Sequence, residues 1–111
     1  RLEEFLMAQF TAYENPNTAT NKTYPYLLDI QSNLLDDLRT TVVIPLCATN
    51  LVGKAAITKL CPTLEIKGKS FIGVTQQIAG IDRRSLGKEV CNLSQYRSEI
   101  IAALDFIISG I

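Results

Sequence analysis

The chain has 111 residues, of which 47% are hydrophobic and 20% charged, a length and balance that suit one domain burying roughly two thirds of its unfolded-chain surface and that argue against disorder. Eleven basic residues balance eleven acidic ones, so no overall field draws the chain to a nucleic-acid backbone, and no apolar run approaches the roughly 20 residues that span a bilayer. Three cysteines (Cys47, Cys61, Cys91) lack a CxxC pair and histidine is absent, which points away from a disulfide framework or a common zinc site and towards a soluble protein of a reducing cytoplasm.

Arg1 to Leu6 precede Met7, and the globular pattern begins after Met7, so residues 1–6 read as a leader or vector-derived remnant and 7–111 as the single domain. Glu3 and Glu4 interrupt any secretory apolar region. Gln9 to Tyr13 reads as a first strand, and the polar stretch Glu14 to Thr23, with its Asn-Pro, as a mobile loop. Tyr26, Leu28 and Ile30 alternate within Tyr24 to Gln31, which predicts a half-buried strand with Asp29 on its other face; a turn is expected near Asp36 and Asp37. Thr40 to Leu46 is β-branched enough for a strand, with Pro45 at a position lacking a donor, such as an edge or bulge. Leu51 to Leu60 fits either one helical turn or an irregular strand. Thr63 to Ile66 and Ser70 to Thr75 flank Lys67-Gly68-Lys69, the pattern of a β-hairpin, and Ile78 to Ile81 adds a short strand. Asn92 with Gln95 resembles a capping box, and Tyr96, Ile100, Ala103, Leu104, Ile107 and Ile111 form one helical stripe. Strands followed by one terminal helix predict a mainly β, α+β domain built as a small open barrel or bent antiparallel sheet.

Catalytic apparatus is hard to find. Asp36 and Asp37 are expected as solvated turn acids, because no further acidic cluster supports a hard cation. Arg83 and Arg84 follow Asp82 in a polar turn and, without interleaved aromatics, are expected in a solvated loop. Cys47 and Cys61 have apolar neighbours and read as core; Cys91, near the helix start, is placed where a thiol pKa can fall. The dispersed glycines open no phosphate-binding loop. The chain closes on Phe106, Ile107, Ile108, Ser109, Gly110 and Ile111, an apolar end that either packs on the protein's own core or dimer seam or is presented to a partner.

Several short segments resemble the CcdB family in order and spacing from Met7 to Ile111: M-x-Q-F (Met7, Gln9, Phe10), D-I-Q-S (Asp29 to Ser32), V-I-P-L (Val43 to Leu46), Glu89-Val90 followed by Leu93-Ser94, and the closing Gly110-Ile111. The resemblance implies an SH3-like barrel with a bent antiparallel sheet, a small accessory sheet and a C-terminal helix, paired as a homodimer. It further implies a non-enzymatic toxin that needs no metal or cofactor, binds the A subunit of DNA gyrase and traps the cleaved-DNA complex. A CcdA-like antitoxin with a flexible segment would neutralise it, and the two would co-repress their operon with operator DNA contacted mainly by the antitoxin. The gyrase-binding residues it implies are Leu34, Leu35, Asp105, Ser109, Gly110 and Ile111. Family members can carry tryptophan immediately before Gly-Ile; Ser109 stands there in this chain, which leaves Ile108 or Phe106 as alternative apolar anchors. The competing reading is a MazF-like endoribonuclease on the related barrel, for which Arg39, Asp36 and Arg83 are the nominees. A third is an adaptor domain with a dimerisation helix.

Overall fold

A computed structural model describes residues 9–31, 38–52 and 60–110. The expected leader, the turn at Asp36 and Asp37, most of Leu51 to Leu60, and the site residues Leu34, Leu35 and Ile111 lie outside them. Among the described residues seven strands form one antiparallel sheet: β1 Thr11–Glu14, β2 Tyr26–Asp29, β3 Thr40–Ala48, β4 Thr63–Ile66, β5 Lys69–Gly73, β6 Ala79–Asp82 and β7 Glu89–Asn92. The order is β4-β5-β3-β2-β1-β7, with β6 also pairing β3. The sheet curls as the half-barrel of an SH3-like fold, and among the described residues one long helix packs against it. One helical turn, α1 Thr49–Val52, follows β3, and the helix α2 spans Arg97–Ser109.

β3 organises the sheet. Its residues from Val43 to Cys47 are all buried, the pattern of a central strand covered on both faces, and Ile44 and Leu46, fully buried, each contribute about 1.5–3 kcal/mol. One edge pairs β2, from Tyr26↔Leu46 to Asp29↔Val43. The other edge changes partner along its length: Thr40 to Val43 pair β6, whereas Leu46 to Ala48 pair β5. Pro45 sits at that change. The Ile30 amide donates to the Val42 carbonyl, so alternation makes Leu27↔Pro45 a non-hydrogen-bonded pair and turns the missing donor of Pro45 towards the gap between β5 and β6. Its carbonyl is still used, accepting from the Val74 amide at 2.9 Å.

The predicted hairpin is present as β4 and β5, joined through Lys67 (φ 53°) and Gly68 (φ 77°). Two successive left-handed residues make the turn whose twist matches the strands, and Gly68 takes one of them without steric cost. β7 was not anticipated: Val90 and Cys91 are both half-buried, which breaks alternation, and its partner β1 lies some eighty residues earlier in the chain. Phe10 links the two ends. Although its φ is 66°, it is buried, donates to Asp29 and accepts from Leu93, so two long-range bonds offset its strained backbone.

The polar loop after β1 is present and is crossed by Asn15, whose Nδ2 donates to the Tyr24 carbonyl (2.8 Å) and Thr20 Oγ1 (3.0 Å) while Oδ1 accepts from Asn17 N (3.0 Å). The expected capping box is corrected. Asn92 does not cap α2: it accepts from the Ser94 amide at 2.9 Å, starting a 3-10 turn Ser94–Tyr96, and α2 begins only at Arg97 without a side-chain cap. The helix relies instead on packing. Ile100 and Ala103 are fully buried, with Tyr96 and Leu104 beside them against Phe10, Leu28, Ile44 and Leu93.

Candidate functional site

α2 presents two faces. Residues 96, 100, 103 and 104 meet the core, and the i, i+4, i+7 set Ile101, Asp105 and Ile108 forms an exposed stripe alongside it. Ile101 is 36% exposed and Ile108 84% exposed. Ile107, expected in the core stripe, is instead partly exposed at 37%, because the helix runs past the edge of the packed region. Ser109 continues the outer stripe one turn beyond Asp105, and its hydroxyl donates to the Asp105 carbonyl at 2.7 Å. Gly110 ends the helix in the left-handed region (φ 75°), its amide returning to the Phe106 carbonyl at 2.8 Å.

Asp105, Ser109 and Gly110 are thus brought together at one helix end, and the exposed isoleucine beside them identifies the apolar group there as Ile108 rather than the half-buried Phe106. Ile101, which the sequence reading did not single out, is exposed on the same stripe seven residues before Ile108. Burying such side chains against a partner is the main source of interface energy, with the surrounding polar groups fixing orientation.

The alternative chemistry is poorly served. Arg39, Asp82, Arg83 and Arg84 line one concavity of about 290 Å³, so two of the nuclease nominees do meet, while Asp36 lies outside the described residues. Arg84 is committed to Asp82 through Nε (3.1 Å) and Nη2 (2.9 Å). Those bonds, the first cause, hold the Asp82 carboxyl down to about 2, and a carboxylate that acidic is a weak general base at neutral pH. Arg83 Nε donates to the Leu38 carbonyl at 2.8 Å. A larger concavity of about 470 Å³, floored by Leu27, Val43, Pro45 and Ile81, has no carboxylate, lysine, arginine or cysteine in its lining. Among the described residues no group of three or more acids or cysteines is placed to hold a metal.

Cys47 and Cys61 are buried as expected. Cys91 is corrected: it lies within β7, not at a helix start, and burial raises its thiol, with Lys67 opposing only in part. Burial likewise raises Cys47. No helix of the described residues is long and apolar enough to cross a membrane.

A family model described as CcdB protein matches residues 9–110, which takes in every described strand and the whole of α2. The chain therefore belongs to the CcdB family, whose members are in general toxins of toxin-antitoxin pairs that poison DNA gyrase and are not themselves enzymes.

Proposed function

We propose that this chain is the toxin of a toxin-antitoxin pair, that it binds the A subunit of DNA gyrase as a homodimer, and that it holds the complex in which DNA is cleaved. The observation that carries this reading is the exposed end of α2, where Ile108 stands in solvent beside Asp105, Ser109 and Gly110. Leu34, Leu35 and Ile111 complete the proposed contact. No bond need be made or broken: a ligand that prefers one conformation of gyrase shifts its cycle by the ratio of the two affinities. A CcdA-like antitoxin that folds as it wraps the toxin can compete for the same surface. Balanced charge on this chain suits a division in which the antitoxin contacts operator DNA and the toxin acts as co-repressor, and the pair works in the cytoplasm with gyrase.

Titration of the purified chain into gyrase supercoiling and cleavage assays, beside an incubation with RNA, tests the reading. Protein-stabilised double-strand breaks with intact RNA are expected. Normal supercoiling with degraded RNA would select the endoribonuclease instead, and neither effect would leave an adaptor domain.

A further inference from the structure

Positive charge gathers in one concavity of a chain whose formal total is zero. Arg39, immediately before β3, and Arg83 and Arg84, in the 3-10 turn after β6, line that hollow of about 290 Å³ together with Asp82. The two segments are tied to each other there, since the Arg83 amide donates to the Arg39 carbonyl at 2.9 Å, just beyond the strand pair Thr40↔Asp82. Three guanidinium groups against one carboxylate leave the lining at a formal +2 among the described residues. Asp29, whose Oδ2 lies 3.9 Å from Arg83 Nη1, lowers this to +1.

The three arginines are held differently. Arg83 is fixed from behind, by Asp29 and by the bond from its Nε to the Leu38 carbonyl at 2.8 Å. Arg84 is aimed by Asp82, which accepts from its Nε at 3.1 Å, its Nη2 at 2.9 Å and its backbone amide at 2.8 Å. Those side-chain bonds use only part of the guanidinium donor set; Nη1 has no partner among the described residues, and the side chain is 80% exposed. Arg39 is exposed, makes no side-chain hydrogen bond or ion pair among the described residues, and reaches Asp82 only as a through-space charge.

Open donors thus approach one hollow from two chain segments. A carboxylate, with two oxygens and one charge, is satisfied by a single guanidinium fork; a phosphate group offers more acceptor oxygens and, as a monoester, about −1.5 to −2 of charge, so it uses several forks together. A concave wall strengthens the field over that of a flat surface. Asp82, its oxygens bonded to Arg84, orients a cation and supplies no base, so the hollow can hold such a group without attacking it.

We propose that Arg39 and Arg84, with Arg83 behind them, form a binding site for a phosphate group. This goes beyond the gyrase reading and does not depend on it. The group can arrive as free phosphate or within a nucleic-acid backbone, and the test separates the two.

NMR titration of the isotope-labelled full-length chain, at constant ionic strength balanced with chloride, uses inorganic phosphate as one probe and a short duplex DNA as the other. Saturable shifts of the Arg39, Arg83 and Arg84 amide signals are expected. Arg39→Gln and Arg84→Gln, shown to be folded by thermal denaturation, are each expected to weaken binding fivefold or more. Lys69→Gln makes the same change of charge on β5, whose Phe71 pairs with Ala48 at the end of β3 remote from Arg39, and is expected to bind within twofold of wild type. Duplex binding that both arginine variants weaken supports the site and marks a backbone phosphate; binding of inorganic phosphate alone, weakened in the same way, supports it and marks a free one. Absence of saturable binding by either probe overturns the proposal. So does unchanged affinity in both arginine variants, or an equal loss in Lys69→Gln, which would reduce the effect to net charge.

Discussion

Ile108→Ala separates the outer face of α2 from the core. Ile108 is 84% exposed, so its side chain contributes little to the fold, and alanine is the better helix former by a few tenths of a kcal/mol. Thermal stability should therefore stay within about 0.5 kcal/mol of wild type. Binding is different if this face docks on gyrase. Three carbons are lost at about 0.8 kcal/mol each, and scaling by the exposed fraction gives about 2 kcal/mol, or roughly a thirtyfold rise in Kd. Isothermal titration against purified gyrase A subunit reads the affinity, thermal denaturation the stability, and sedimentation the dimer. Affinity within twofold of wild type, with fold and dimer intact, would refute the placement of the contact on this face. Dissociation of the dimer would show instead that Ile108 belongs to the seam between copies.

Three further outcomes follow from the packing and charges. Gly87→Ala places a Cβ 2.6 Å from the Glu14 carbonyl oxygen, at the point where Gly87 N donates to that oxygen and Lys88 O accepts from Glu14 N; the backbone must part, which costs about 1–3 kcal/mol and lowers Tm by roughly 5 °C or more, and an unchanged melting curve would contradict this close approach. Burial raises the Cys47 and Cys91 thiols, so residue-resolved labelling with a disulfide reagent at neutral pH should be slow in the native chain and fast in denaturant; rapid native labelling at either position would count against the packing described. Asp82 is depressed from 3.8 to about 2 by its hydrogen bonds from Arg84, so its small stabilising effect is fully present above about pH 4 and is lost as pH falls towards about 2. Denaturation of Asp82→Asn beside wild type should show a Tm difference that closes over that window, and a difference persisting at pH 2 would contradict the assignment.

Much of the architecture can be read from local patterns. Lys67-Gly68 between two apolar runs specifies its hairpin, because the turn needs two left-handed residues and the flanking strands are only two residues apart. The terminal helix shows itself through good helix formers and the 100, 103, 104 spacing. The end residues Asp105, Ser109 and Gly110 come together through helical geometry alone, and family resemblance supplied the role proposed for them. Less legible was Asp29: its neighbours alternate as a half-exposed strand would, yet it is buried because β2 lies between β1 and β3 and Arg83 approaches from the turn after β6.

By itself the sequence determined most of the elements, though not β7, together with the apolar run Phe106 to Ile108 and the lack of histidine chemistry, since propensity, period and composition act within a few residues. Only tertiary structure decided where β3 exchanges β6 for β5 at Pro45, that β7 returns to β1, and that Arg83 joins Asp29. Those arrangements depend on strand edges and charges brought together from distant parts of the chain, where the energy of each contact exists only after the others have closed the loops between them.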